Sequence, residues 1–172
     1  MGDRLLKTAI FDVEGFEVQT RAGERTYYRL HAPDWVNIVP ITPEGKVVLI
    51  RQHRWGVDAE TLEIPGGMVD PGESPEEGGV RELVEETGYG GGRVISLGWM
   101  HPNPAIQGNK CWMYAMLDAV VVGETQFDAG EDIEVELVDL SELPGLLDRG
   151  AISHALAIVS LQRVLARWPD VG

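Results

Sequence analysis

Glutamates at a fixed spacing are the first feature of this chain that could do chemistry. Glu82, Glu85 and Glu86 fall at positions i, i+3 and i+4, so a helix would bring their carboxylates together. Like charges at that spacing repel one another unless a cation lies among them. Because oxygen ligands suit a hard cation, the spacing predicts a site for Mg2+, with Mn2+ as a possible substitute.

A helix is predicted at this place by separate signals. Ser74 can cap it, Pro75 fits its first position and Glu77 completes a capping box. Gly88 suits the left-handed stop after the last turn. Apolar spacing predicts a buried stripe of Val80, Leu83, Val84 and Thr87.

The residues around the helix complete a longer motif. From Gly67 to Tyr89 the chain reads G-x5-E-x7-R-E-U-x-E-E-x-G-U, where U is bulky and apolar. The motif resembles the Nudix box of hydrolases that cut nucleoside diphosphates linked to another group. Tyr89 stands where that family usually has an aliphatic residue. The resemblance implies a Nudix α/β/α sandwich with a mixed sheet over residues 36–172, plus an N-terminal antiparallel β extension over residues 1–35.

The resemblance also implies which residues hold metal. Glu82 and Glu86 would bind it directly, Glu85 would bind it directly or through its water, and the Gly66 carbonyl would complete the shell. Glu131 would be a loop ligand or the base that orients water, with Glu134 as the alternative. Arg81 is expected to pair with Glu77 or Glu85 and to orient the acids.

Segments outside the box resemble those of ADP-ribose pyrophosphatases. They are Gln52-His53-Arg54, the run 62–67 that contains Glu63, and Pro104, which lies 15 residues past Tyr89. Asn109 stands where that subgroup carries a Glu, which leaves room for other nucleoside diphosphate sugars. Arg54 is expected to contact the pyrophosphate, because a guanidinium matches phosphate geometry. Glu63 is expected to hold either the ribose or Arg54.

Aromatic residues near the N-terminus are candidates for base recognition. Tyr27, Tyr28 and Trp35 could stack on a nucleobase, with Arg29 nearby. In the subgroup the N-terminal strands swap between two subunits, so the resemblance implies a homodimer in which these residues serve the partner's site. A packed β core is the open alternative for them.

Local patterns predict the remaining elements. The last helix is expected at 153–168, after a short one from Ser141. Strand-like runs are found at 9–13, 16–20, 26–30, 35–42, 46–51, 61–64, 93–100, 110–122 and 133–137.

Composition excludes several other classes of protein. A net charge of −14 over 172 residues argues against nucleic-acid binding. No apolar run reaches the length of a membrane span. The single Cys111 rules out an internal disulfide and fits a reducing cytoplasm, and we expect it to be a buried, inert thiol. The four histidines lack metal-ligand spacing and are expected to be structural or exposed.

The expected function follows from the resemblance. It is Mg2+-dependent hydrolysis of ADP-ribose or nucleoside diphosphate sugars by a metal-activated water, giving a nucleoside monophosphate and a sugar phosphate. One alternative is another small nucleotide substrate, such as an oxidised nucleoside triphosphate or a dinucleoside polyphosphate. A second alternative, from a different class, is a Nudix-fold module that senses a nucleotide without cutting it.

Overall fold

The computed structural model describes residues 2–127 and 132–171 and has a mixed sheet between helices. Its helices are α1 (Pro75–Thr87), α2 (Leu143–Asp148) and α3 (Ala155–Val171). Its strands are β1 (Asp3–Lys7), β2 (Asp12–Thr20), β3 (Gly23–His31), β4 (Trp35–Ile41), β5 (Lys46–Arg54), β6 (Ala59–Glu63), β7 (Gly66–Met68), β8 (Tyr89–Gly90), β9 (Arg93–Met100), β10 (Cys111–Leu117), β11 (Val120–Val121) and β12 (Ile133–Asp139).

The main sheet splits at its centre. Its strand order is β12-β5-β4-β10-β9, with β4 and β10 parallel and the other pairs antiparallel. β4 and β5 pair only at Ile41 and Val47. Beyond that point β6 pairs with β5, and β7 pairs with β4. The segment 59–68, which carries the predicted site glycines, therefore fills the opening between the two central strands.

Helices cover both faces of this sheet. Val36 and Ile38 of β4 contact Leu83 of α1 on one face, where burying Leu83 contributes roughly 1.5–3 kcal/mol. On the other face, Val39 and Ile41 belong to a larger core that includes side chains of α2 and α3. The predicted α/β/α sandwich is confirmed. No helix in the described part of the chain is long and apolar enough to span a membrane.

The predicted N-terminal antiparallel sheet is also confirmed, with different strand bounds. β1, β2 and β3 form a separate three-stranded sheet, in which β2 contains the predicted run 16–20 but only the last two residues of the run 9–13. The residues between those two runs also lie in the strand, since Gly15 pairs with Asp3 and Tyr28 inside the sheet.

Two other predicted elements differ from the structure. The predicted strand 110–122 ends at Leu117, because Asp118 has a left-handed φ of 59° that breaks the extended backbone. Along α1, the buried side chains and glycines are Leu83, Thr87, Gly78, Gly79 and Glu86, so the predicted buried stripe is only partly right. Val80 and Val84 are half-buried, because α1 turns its glycine face toward β4.

Candidate active site

Helix α1 begins and ends as its sequence predicts. Ser74 accepts a hydrogen bond from Glu77 N at 3.2 Å, and the Glu77 carboxylate accepts one from Ser74 N at 2.8 Å. At the other end Gly88 has a φ of 72° and donates its N–H to the Val84 carbonyl. These caps fix the helix ends and therefore the rotation at which the helix presents its glutamates.

Glu82 and Glu86 both lie against the glycine pair that leads into the helix. Gly66 N donates to Oε2 of Glu86 at 3.0 Å, and Glu86 is only 4% exposed. The Glu82 carboxylate occupies the space where a side chain at residue 67 would lie, so Gly67 is needed for its position. Two of the predicted metal ligands thus lie beside Gly66, whose carbonyl is the third.

Arg81 ties the remaining acids together. Its guanidinium donates to both carboxylate oxygens of Glu73, at 2.8 and 3.2 Å, and to Glu82 and Glu85 at 3.0 Å each. The expected contact with Glu85 is present, whereas Glu77 caps the helix instead. The hydrogen bond from Arg81 lowers the pKa of Glu73, which keeps that carboxylate charged. Arg81 therefore offsets only part of the charge of three neighbouring acids.

The donor atoms suit a hard divalent cation. Among residues 2–127 and 132–171, no three His, Cys, Asp or Glu side chains are grouped as a metal cage. Mg2+ does not need such a cage, since it usually binds one or two carboxylates and keeps water or substrate phosphate as its other ligands. Carboxylates at Glu82 and Glu86 beside the Gly66 backbone match that requirement. Glu131, the predicted further ligand, lies outside the described residues.

A second polar group lies where β5 and β6 form a hairpin. Arg54 donates through Nε and Nη2 to the two oxygens of Glu63, each at 2.8 Å. Thr61 Oγ1 donates to the same carboxylate at 2.6 Å, and Nδ1 of His154 lies 2.8 Å from it. Glu63 is 1% exposed, whereas the Arg54 side chain is 43% exposed. A buried carboxylate thus holds a guanidinium that reaches solvent.

The charge of Glu63 depends on these partners. Burial by itself would raise the pKa of the Glu63 carboxyl, but hydrogen bonds from Arg54, His154 and Thr61 outweigh burial and hold that pKa well below its ordinary value. Glu63 is therefore ionised at neutral pH, and it is engaged with Arg54.

Four predicted substrate-binding residues line one cleft of about 670 Å³. Tyr28 and Arg29 approach it from β3, and Pro104 and Asn109 approach it from the loop before β10. Tyr27 lines it too, but Trp35 does not. The lining contains none of the α1 glutamates and neither member of the Arg54–Glu63 pair. The predicted site residues therefore form three separate groups: the acids of α1, the Arg54–Glu63 pair and the cleft.

Asn109 is tied into the protein by its own side chain. Gln107 Nε2 donates to its Oδ1 at 2.9 Å, and its Nδ2 donates to the Pro33 carbonyl at 3.0 Å. The Nδ2 bond joins the loop to the residues before β4, the Oδ1 bond is made within the loop, and the residue is buried. This chain thus has a structural use for an amide at that position.

The sequence did not predict two residues that contact Glu63, Thr61 and His154. Thr61 lies two residues before Glu63, so strand alternation could have placed both side chains on one face. His154 is far from Glu63 in sequence, and no local signal joins them.

Cys111 is buried, and that burial raises the pKa of its thiol to about 12, so it is no nucleophile at neutral pH.

Comparisons with known proteins agree with this geometry. A family model described as NUDIX domain matches residues 32–159. An ADP-ribose pyrophosphatase of Bacillus subtilis (strain 168) is 28% identical over 131 residues, which cover 76% of this chain and 71% of that protein. A methanol dehydrogenase activator of Bacillus methanolicus is 33% identical over 140 residues, covering 81% of this chain and 71% of the relative.

A solved structure described as an ADP compounds hydrolase resembles the whole fold. It superposes with a TM-score of 0.88 at 26% identity, covering 100% of this chain and 94% of the other. The family model spans more than half of the sequence, and the matched residues include α1 and the glycine pair before it. The chain therefore belongs to the NUDIX domain family, as a Nudix hydrolase.

Proposed function

We propose that this Nudix hydrolase is a Mg2+-dependent pyrophosphohydrolase of ADP-ribose or related nucleoside diphosphate sugars. Its products would be a nucleoside monophosphate and a phosphorylated sugar. The observation that carries the proposal is the position of Glu82 and Glu86 against Gly66 and Gly67, with Arg81 holding the neighbouring acids. Relatives named for ADP-ribose and ADP compounds support the substrate class.

Residues of α1 would hold the metal. Glu82, Glu86 and the Gly66 carbonyl are its proposed ligands, with Glu85 direct or through water and Glu131 as a further ligand or water-orienting base. When bound, Mg2+ would lower the pKa of a water molecule and neutralise the diphosphate. The buried Gly66 N–H to Glu86 bond supports this assignment, because it fixes one carboxylate oxygen and so orients the other.

Arg54 would bind the diphosphate. Its planar donors match phosphate oxygens, and its partial exposure leaves the side chain accessible to a ligand. Glu63 would act through Arg54 by fixing the direction of the guanidinium. A held guanidinium loses less side-chain entropy on binding than a free one, so the pair favours phosphate capture.

The nucleoside would bind through the cleft residues Tyr28, Arg29, Pro104 and Asn109. Tyr28 offers an exposed aromatic face for base stacking, and Arg29 lies over the Phe16 ring at 4.7 Å, which holds its charge near the cleft. The amide of Asn109 would act by supporting the loop that forms the far wall of the cleft.

The working enzyme would be a homodimer. The N-terminal sheet exposes apolar side chains, among them Leu5, Leu6 and Ile10. Each of these three side chains is more than half exposed, and large exposed apolar side chains close together favour an interaction site. A second copy of the chain would cover it and bring the cleft of one subunit toward the metal-binding acids of the other.

A substrate panel with matched variants tests the function. Mg2+-dependent turnover would be measured on ADP-ribose, GDP-mannose, ADP-glucose, UDP-glucose, a diadenosine polyphosphate and an oxidised dGTP. We expect Glu86→Gln to lower turnover of the best substrate several hundred-fold while the fold persists. Glu76→Gln, on an exposed position of the same helix, is the control and should stay near wild type.

The outcomes separate the alternatives. Turnover of ADP-ribose or the sugars supports the proposed substrate class, and turnover of oxidised dGTP or the diadenosine polyphosphate alone contradicts it. Unchanged activity in Glu86→Gln would refute the metal site. Binding without turnover of any substrate would favour a sensing module.

A further inference from the structure

His154 has no role in the proposed metal binding or substrate binding, yet it contacts a residue of that site. It precedes the first residue of α3, and its Nδ1 is 2.8 Å from Oε2 of Glu63. That nitrogen is buried, and its approach to Glu63 is a close polar contact whose angle falls short of a regular hydrogen bond; no described residue gives it one. Glu63 is buried as well. The contact therefore joins the helix on one face of the sheet to the carboxylate that holds Arg54.

Each oxygen of Glu63 has two neighbours. Oε1 accepts from Arg54 Nε at 2.8 Å and from Thr61 Oγ1 at 2.6 Å. Oε2 accepts from Arg54 Nη2 at 2.8 Å and lies at the same distance from His154. A carboxylate held on both oxygens cannot rotate without breaking a bond on each side. Its plane, and with it the plane of the bidentate Arg54 guanidinium, is thereby fixed.

We infer that His154 is a positioning residue for diphosphate binding, which acts by fixing Glu63 and through it Arg54. The inference rests on the proposed role of Arg54 and extends it to a residue of the C-terminal helix. Without His154, Oε2 would keep only its Arg54 bond, and the guanidinium would sample orientations that do not match the diphosphate. Positioning groups remote from the chemistry act in this way on rate and affinity.

Two substitutions of nearly the same shape isolate the contact. His154→Asn keeps a side-chain N–H donor close to the position of Nδ1, whereas His154→Leu has similar volume and no donor. We expect His154→Leu to lower kcat/KM by about tenfold, mainly through a higher KM, and His154→Asn to restore most of the loss. Ala155→Leu, at the exposed neighbouring position, is the control for adding a leucine at the start of α3 and should stay near wild type.

A double-mutant cycle with Arg54 distinguishes positioning from general structural damage. The cycle compares wild type, Arg54→Gln, His154→Leu and the double variant, using the substrate that wild type turns over best. If His154 acts through Arg54, its substitution should cost little once Arg54 is absent, and the two effects should be non-additive. Binding of the methylene-bridged analogue of that substrate, measured by calorimetry, should give the same cycle without turnover.

The outcomes separate this inference from the proposed substrate. Turnover of oxidised dGTP or the diadenosine polyphosphate alone would overturn the proposed substrate class and leave the cycle to be measured on that compound. A His154→Leu variant with wild-type kcat/KM would overturn the inference. Losses that add fully to those of Arg54→Gln, or that His154→Asn fails to restore, would also overturn it.

Discussion

At the scale of the residue, the Arg54–Glu63 pair should make the free energy of unfolding depend on pH in the acid range. The folded-state pKa of Glu63 lies well below its ordinary value of 4.5, so the charged carboxylate stabilises the folded chain. That stability is fully present above a pH of about 4.5 and is lost as the pH falls below it. We expect Glu63→Gln to cost about 3 kcal/mol at pH 7, the cost of breaking a buried pair whose other member is partly exposed.

Urea unfolding of wild type and Glu63→Gln from pH 7 to pH 3 measures this difference. The gap between the two unfolding free energies should shrink as the pH falls below 4.5. Glu136→Gln is the matched control, because Glu136 pairs with Arg51 at 2.8 Å but its side chain is 42% exposed, compared with 1% for Glu63. Glu136→Gln should lower the free energy of unfolding by less than about 1 kcal/mol. A gap for Glu63→Gln that stays constant across this pH range would contradict the assignment.

Sequence predicted some of these residue contacts and missed others, for a physical reason. Helical spacing and caps are local, so the positions of Glu82, Glu86 and Ser74 followed from the sequence. Arg81 contacts Glu85, one of its two predicted partners, and also contacts Glu73, because the chain between β7 and α1 folds back toward the helix. The His154–Glu63 contact depends on how α3 meets the split sheet, and nothing in the local sequence encodes that.

At the scale of the element, two adjacent glycines set how closely α1 approaches the sheet. A Cβ at Gly79 would lie 3.0 Å from Cγ2 of the fully buried Val36. A Cβ at Gly78 would lie 2.7 Å from the Glu73 oxygen that Arg81 holds. The helix thus accepts a propensity cost of roughly 1 kcal/mol per glycine in exchange for close contact with β4. The sequence contains the two glycines, but it does not reveal that Val36 and Glu73 are the side chains packed against them.

Gly79→Ala should therefore destabilise the protein despite the better helix propensity of alanine. We expect a net loss of about 1–2 kcal/mol, because overpacking against Val36 exceeds the propensity gain. Gly145→Ala in α2 is the control: its Cβ would have only ordinary contact with Arg149 at 3.6 Å, so its stability should hold or rise. Denaturant midpoints measure both, and a Gly79→Ala variant more stable than wild type would contradict the packing argument.

At the scale of the whole molecule, the N-terminal sheet is largely exposed to solvent in the described chain. A small sheet needs a hydrophobic face or a covering helix to be stable by itself, and β1, β2 and β3 bury few of their side chains. The sheet is joined to the main domain by a hydrogen bond from Leu30 N to the Ile106 carbonyl at 2.7 Å, beside the cleft. Strand patterns predicted the sheet from sequence, whereas its lack of cover is visible only in the fold.

The dimer proposal can be tested on that sheet. We expect light scattering to give the mass of two 18.9 kDa chains for wild type. Leu5→Asp/Leu6→Asp should give monomers, because it puts charge where two exposed leucines of β1 would be covered. Val120→Asp/Val121→Asp, a matched pair of exposed valines in β11, should leave the dimer intact.

The net charge of the chain predicts how salt should change the affinity of the proposed dimer. Each chain carries −14, so two copies repel one another over a Debye length of about 30 Å at 0.01 M salt and about 8 Å at 0.15 M. If apolar burial holds the sheets together, the dissociation constant should fall as salt is raised across this range. A dimer that weakens in salt would instead be held by ion pairs, and a monomeric wild type at both salt concentrations would refute the dimer itself.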